Sequence, residues 1–463
     1  MSFRKRLYSV AAIVLLGILV VCGSTFTLQV GEGNQPQTAF RREETLYFWY
    51  TDEAMTQYIN SAAVAFGEQE KVRVIPVLTS GNEYLEQIYD ASLEGKQFPD
   101  AYILGHDQLE KAYLSGVASK ITDPSGICSE QYFPKAAISS VTYHGAKIAY
   151  PLSFETSVLL YNEDYLRTWA EQRAYYELTH QLTEDPETGE QTDTLIEDYE
   201  PSAEDIAAKA NECFADAIPG SLEDILFLAD TFDVPEQVEG IMKWDVSDIF
   251  YNYWIVGDSI TVGGECGDEE ENISINNAKT LECLNAYTAL NQFFFIEPET
   301  VTYESVVQDF LDGKIVYTIV TSDIIRTLQE AEERGELSFH YGVSTMPDVS
   351  STLPGRSMST TGTVVVNGFS EHAENANKFA AFLVKDQAGG FFEKTGKLPA
   401  VYEEAKEPGM ADIFRLEYAD SIPLPKMMKT GNFWVILERV FSKAWQGVDV
   451  TALLQEMEIL TTY

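Results

Sequence analysis

The apolar positions fall into short continuous runs separated by segments with helical spacing. Thr45–Thr51 (TLYFWYT) is apolar on both faces, the pattern of a strand buried inside a sheet. Asp52 follows at a helix start, and Met55, Tyr58, Ile59, Ala62 and Phe66 recur at i, i+3, i+4. Lys71–Leu78 predicts a second strand, Asn82–Leu93 a helix and Asp100–Leu104 a third strand. Gly105-His106-Asp107 then turns into a helix running through Leu114. This alternation predicts βαβ units and a mainly parallel sheet. Ligands of such sheets sit beyond the carboxyl ends of the strands, which puts Tyr50–Glu53 and Gly105–Asp107 at one mouth.

The most informative stretch is Lys147–Leu166, KIAYPLSFETSVLLYNEDYL. Two β-leaning runs, Ile148–Leu152 and Ser157–Tyr161, flank a break that holds one carboxylate, Glu155. Asn162-Glu163-Asp164 then opens a helix, because Asn and Asp side chains accept the unpaired N–H groups of a first turn. A carboxylate between two apolar strands is paired, hydrogen-bonded or presented to a cleft, since burying it alone is costly.

Beyond it, 169–201 is acidic and turn-rich (EDPETGEQTDT) and reads as a surface insertion, while 203–217 and 221–233 have helical spacing. Asp245–Val256 carries Phe250, Tyr251, Tyr253 and Trp254. Gly257–Asn272 (GGECGDEEEN) lacks the alternating oxygen-ligand spacing of a calcium loop and reads as a solvated loop, so no metal is expected. Helices are predicted over Asn277–Phe294, Tyr303–Leu311 and Glu374–Val384, and strands over Lys314–Val320, Ser338–Thr345 and Thr363–Val366. Thr430–Gln446 is a helix with the core stripe Phe433, Ile436, Leu437, Val440 and Ala444, and Gly447 stops it. Trp434 lies beside that stripe, near the helix start.

At 463 residues the chain predicts two domains. Its formal charge of −42 excludes nucleic acid as a partner, since phosphate binding needs clustered Lys and Arg. Arg4-Lys5-Arg6 and the apolar run Leu7–Val21 form a signal segment over 1–22. Leu19-Val20-Val21-Cys22 resembles a bacterial lipobox, which implies lipidation of Cys22; an uncleaved apolar anchor is the alternative. Either way the bulk of the chain is exported and held at the outer face of the cell membrane. Residues 23–44 read as a tether. Cys128, Cys213, Cys266 and Cys283 match no zinc spacing; three disulfide pairings and isolated thiols all stay open. HExxH, P-loop, GxSxG and CxxC motifs are absent from the sequence, and the five histidines stand isolated. The expectation is a protein that is not an enzyme and needs no cofactor. A glycosidase hidden among 73 acidic residues is the weakest alternative.

Taken together, KIAYPLSFETSVLLYNEDYL, DAYILGHDQLEKAYLSGV, the Phe310–Lys314 turn, the NANKFAAFLV helix and the Trp434 helix resemble the bacterial extracellular solute-binding proteins of the maltose-binding type. The resemblance runs from Leu46 to Leu460. It implies an α/β, two-lobe, periplasmic-binding-protein-like fold of type II, with discontinuous lobes joined by a hinge. Lobe one is then 45–153 plus 344–396, and lobe two 155–343 plus 398–463, with Glu155 at the first crossing. It implies a monomer that captures a carbohydrate, an oligosaccharide, and delivers it to ABC permease subunits in the membrane.

Carried over by position, the resemblance implies ligand contacts from Asp52, Glu53, Asp107, Glu155, Tyr251, Tyr253, Trp254 and Trp434. The residue types suit a sugar, whose hydroxyl rims bond to carboxylates and whose C–H faces stack on rings. The chain departs from the family where Leu104 replaces a Trp, Gln108 a basic residue, Thr321-Ser322-Asp323 a stacking Trp, and Glu438 an Arg. Two lost basic positions leave a cationic solute such as a polyamine as the alternative ligand; a sensor-coupled binding protein is a further one.

Overall fold

The computed structural model describes residues 44–462, except 96, 185–190, 198 and 404–408. The expected signal segment, Cys22 and the tether up to residue 43 lie outside these residues.

The first sheet is built from β1 (Thr45–Tyr50), β2 (Arg73–Leu78), β3 (Ala101–Gly105), β4 (Tyr150–Thr156), β9 (Met358–Val366), β10 (Leu398–Pro399) and β11 (Ile422–Pro423). Its order is β10-β4-β9-β3-β1-β2, with β11 also on β9. β1 runs parallel to β2 and β3, as a βαβ reading requires, while β9 is antiparallel to both β3 and β4. Leu46, Phe48 and Tyr50 of β1 are buried, and Tyr47 and Trp49 on the other face are half-buried. Phe48 and Phe66 meet Phe379 edge-on at 5.3 and 5.2 Å, which seats the helices Thr56–Glu70 and Ala373–Ala381 on the sheet.

The second sheet has the order β6-β7-β5-β8, where β5 is Val158–Asn162, β6 Gly240–Met242, β7 Ile315–Val320 and β8 Tyr341–Ser344. Every residue of β5 and β7 is buried, so both strands are covered on both faces and are mostly apolar rather than alternating. Helices Ala278–Phe294, Phe433–Trp445 and Val450–Thr462 complete this lobe. Their core centres on Trp445, which lies edge-on to Trp244 at 5.5 Å, tilted against Tyr287 at 5.0 Å, and donates from Nε1 to the Ile296 carbonyl at 2.9 Å.

The chain passes between the sheets at Ser157, between Ser344 and Met358, and again after Pro423. This last passage corrects the expected boundary. Residues 398–403 and 409–423, assigned from sequence to lobe two, go with the first sheet: Leu398 and Pro399 pair with Phe154 and Ser153, and Ile422 and Pro423 with Met358 and Ser359. The Tyr418 ring stacks on Phe154 at 4.1 Å, which holds helix Met410–Asp420 there. First-sheet pairing likewise resumes at Met358 rather than at 344.

Two further expectations change. The presumed insertion from residue 169 begins inside helix Glu163–Thr179, whose Trp169 is buried and donates to Thr231 Oγ1 at 2.9 Å; only the hairpin His180–Glu184/Gln191–Leu195 projects from it. The acidic loop 257–272 is not fully solvated. Asp268 is 5% exposed and accepts from the His144 backbone N–H at 2.6 Å, and buried Lys426 donates to the carbonyls of Ser139 (3.1 Å) and Cys266. Cys128, Cys213, Cys266 and Cys283 are free thiols.

Trp445→Ala removes a ring that touches two others and orphans a buried carbonyl, so it should destabilise the protein by about 3–5 kcal/mol. Urea unfolding of the full chain measures this; a loss below about 1 kcal/mol would show that the three-ring cluster is not central to the core.

Candidate ligand-binding cleft

Glu155 sits on β4 two residues before Ser157, the first passage between the sheets, and its side chain reaches the other lobe. Its Oε1 accepts from the Ser322 backbone N–H at 2.7 Å and its Oε2 from the Ser322 hydroxyl at 2.8 Å. Ser322 is the second residue beyond β7, at the carboxyl end of a strand of the second sheet. Burial pushes the Glu155 pKa up to about 7. The two Ser322 bonds and Lys397 favour the charged form, and Asp323 opposes it. Lys397 is itself paired with Asp52 at 3.1 Å.

A cavity of about 460 Å³ opens beside this contact. Glu155 and Met358 line it from the first sheet, Leu424 from the third passage, and Asp248, Phe250, Tyr251, Thr321 and Trp434 from the second lobe. Asp248 caps the short helix Ile249–Asn252 by accepting from the Phe250 N–H at 2.8 Å, which fixes how Phe250 and Tyr251 are presented. Tyr251 stacks on Tyr303 at 5.1 Å with planes 7° apart, and the Tyr303 hydroxyl donates to Asp323 at 2.9 Å. Trp434 is half-buried and braced edge-on by Phe433 at 4.7 Å and Tyr253 at 5.6 Å. One wall is therefore aromatic and the other carries a carboxylate.

The third passage is held by His106. Its Nδ1 accepts from the Thr361 N–H at 3.0 Å, so its Nε2 carries the proton and donates to the Leu424 carbonyl at 2.9 Å. Full burial, aided by Lys426, lowers its pKa to about 3, and the ring is neutral. A larger cavity, about 550 Å³, lies on the far side of the 249–255 segment, bordered by Ser139, Tyr253, Glu265, Arg356 and Asp420. The smaller one has the stronger case as a ligand site, because it joins a carboxylate, exposed ring edges and the ends of strands from both sheets.

The expected site residues separate accordingly. Glu155, Tyr251 and Trp434 share the cavity. Asp52 adjoins Glu155 through Lys397, with its other oxygen accepting from the Ala54 N–H at 2.9 Å. Glu53 is exposed and outside the lining. Asp107 is open at its surface yet surrounded by enough protein to raise its pKa; its carboxylate folds back over Gly105, where a Cβ would meet Oδ1 at 2.5 Å. Trp254 is a core residue, 0% exposed, lying under Gly355, where a Cβ would come 3.1 Å from the ring. Tyr253, 2% exposed, supports Trp434 from behind rather than facing this cavity. Asp248, Thr321 and Ser322 were missed as site residues, although Thr321-Ser322 directly follows a buried strand, the signal used for the first lobe.

The chain belongs to the bacterial extracellular solute-binding protein family, whose pattern matches residues 61–413. Solved structures share its two-lobe fold. A cyclo/maltodextrin-binding protein complexed with maltotetraose is 16% identical, with a TM-score of 0.69 over 93% of this chain and 98% of that one. An extracellular solute-binding protein from Staphylococcus aureus, in complex with maltose, gives the same figures. The maltose-binding protein MalE from Listeria monocytogenes, also with maltose, is 17% identical, with a TM-score of 0.66 over 91% and 97%. No curated protein matches in sequence. The family and these neighbours are binding proteins rather than enzymes. Among the described residues no helix is long and apolar enough to cross a membrane.

Because the folded pKa of Glu155 lies above its usual 4.5, its contribution to stability is present in full below that value and is lost as pH rises through about 7. Glu155→Gln cannot ionise, so its stability relative to wild type should rise between about pH 5 and about pH 8 in urea titrations. A difference that stays flat across that interval would mean that Glu155 titrates normally.

Proposed function

We propose that the protein is the substrate-binding lipoprotein of an ABC importer, which captures a carbohydrate between its lobes and delivers it to a membrane permease. The observation that carries this reading is the cavity between the lobes, in which the Glu155 carboxylate and the Tyr251 and Trp434 rings converge. Rings cover the apolar faces of a pyranose and carboxylates accept from its hydroxyls. The volume falls within the roughly 300–1,000 Å³ typical of small-ligand sites and suits a short oligosaccharide. Neighbours that bind maltose and maltotetraose support the carbohydrate class. Asp52 and Asp107 lie on the first-lobe side, where closure brings further polar contacts to the ligand; Glu53, Tyr253 and Trp254 are not assigned contacts.

A panel of oligosaccharides, assayed by thermal shift and tryptophan fluorescence, should contain at least one that stabilises the protein, and Trp434→Ala should weaken that ligand by about tenfold while the free protein's melting temperature stays close to wild type. A panel without response, alongside a shift with an amino acid or a polyamine, overturns the carbohydrate reading.

Lipidation of Cys22 is the proposed anchor, with residues 23–44 as the tether that lets the lobes reach a permease. Cys22→Ala should move the protein from the membrane to the soluble fraction of fractionated cells. Retention in the membrane would point to the apolar N-terminal segment as an uncleaved anchor instead.

A further inference from the structure

The larger cavity, of about 550 Å³, is bordered by a buried hydroxyl that the fold leaves idle. Tyr253 is 2% exposed and lines this cavity but not the one beside Glu155. Its ring braces Trp434, while among the described residues its hydroxyl makes no hydrogen bond. Unlike the orphan hydroxyls of Tyr84 and Tyr287, it is not sealed inside the core, so a group that reaches it comes from the cavity. An unpaired buried hydroxyl carries a desolvation cost that an incoming partner removes.

Arg356 supplies a second donor. Its backbone N–H donates to the Trp254 carbonyl at 3.0 Å, and Gly257 packs so closely that a Cβ there would lie 2.0 Å from the Arg356 carbonyl oxygen. The guanidinium is pinned as well, with Nε and Nη2 donating to the Asp420 carbonyl at 2.9 and 2.6 Å. Nη1 is left without a hydrogen bond among the described residues, on a side chain held at both ends. The Arg356 charge reaches the Tyr253 hydroxyl and opposes the rise in pKa that burial causes, so the two donors act on one region. A fixed guanidinium N–H beside a phenol is a receiver for a carboxylate.

The other charges decide what else the ligand carries. Lys135 and Glu265 pair with each other at 3.1 Å, and the Asp420 carboxylate lies 3.5 Å from Arg356. Asp258, next to the Gly257 that presses on Arg356, is exposed and forms no ion pair among the described residues. A plain anion would face Asp258 with its own sign, and a plain cation would leave Tyr253 and Nη1 idle. A zwitterion answers both. Ile260, Val262, Ile422 and Pro423 form the apolar part of the wall.

We propose that this cavity is a second binding site and takes an α-amino acid with an apolar side chain, its carboxylate on Arg356 and the Tyr253 hydroxyl and its ammonium at Asp258. The site is separate from the cleft beside Glu155 and does not depend on the carbohydrate reading.

Calorimetric titration of the full chain with leucine tests it, beside isocaproate and isoamylamine, which keep the leucine skeleton but carry one charge each. Leucine should bind at least about tenfold more tightly than either. Tyr253→Phe removes only the idle hydroxyl, so it should leave thermal unfolding at or above the wild-type temperature and weaken leucine about tenfold. Asp258→Asn, a change at an exposed position, should weaken leucine toward the affinity of isocaproate. No binding of leucine at millimolar concentration overturns the proposal. Binding that neither variant weakens also overturns it, since the amino acid then sits elsewhere, the cleft included. Isocaproate binding as tightly as leucine overturns the amino-acid assignment, because Asp258 then contributes nothing.

Discussion

Two hydrogen bonds from Ser322 to the Glu155 carboxylate tie the end of one sheet to the end of the other. A carboxylate so little exposed can stay charged only if donors are aimed at it, and both donors here belong to the opposite lobe. The relative position of the lobes and the protonation of Glu155 are therefore one coupled quantity. Drawing Ser322 away forfeits two bonds to a charged group, each worth about 1.5–3 kcal/mol, unless water or ligand hydroxyls replace them. On the proposed reading, a ligand entering beside Glu155 would compete for the oxygens that hold the lobes together.

The other passages are fastened by different chemistry. His106 is neutral and uses both ring nitrogens, so its grip on Leu424 is independent of pH over the physiological range. Lys426, two residues further on, is buried and its pKa is lowered to about 8, with Asp268 the main group that opposes the shift. Its ammonium joins the first lobe at Ser139 to the second-lobe loop at Cys266. Gly267 makes this approach possible: it adopts φ +63°, and a Cβ there would lie 2.7 Å from the Pro425 Cα. The loop that reads as solvated because it is acidic is folded down by one buried lysine, a partner 160 residues away.

The residues that could be read from the sequence are those whose signal is local. The runs at 45–51, 71–78 and 314–320 and the 3.6-residue stripe at 433–444 declare their elements because burial on a strand or a helix has a period. Glu155 was legible for the same reason, as a charge that interrupts an apolar pattern. Direction was not legible. Tyr251, Tyr253 and Trp254 lie within four residues, yet one lines the cavity, one braces Trp434 and one is sealed in the core. A short helix passing into a 3-10 turn decides which ring faces where, and spacing alone does not carry that. The place of 398–403 and 409–423 with the first sheet was not legible, because two two-residue strands and one ring stack hold them, contacts too brief to leave a periodic trace.

The departures at 321–323 and 438 acquire a physical sense in this arrangement. Where the resemblance places a stacking ring after the 315–320 strand, this chain has Thr321-Ser322-Asp323, and those residues carry the donors that clamp Glu155 and the carboxylate that orders Tyr303. A bulky ring at position 322 could not supply the hydroxyl that Glu155 uses. The site thus gives up stacking on that wall, gains a polar bond between the lobes, and keeps its aromatic surface at Tyr251 and Trp434. Glu438, one turn beyond Trp434, reverses the sign of the family's Arg and faces Asp245 and Asp248 instead of offsetting them. Shape and charge in the cavity therefore come from different residues: Tyr251 and Trp434 supply its rings, and Glu155 and Asp248 its carboxylates.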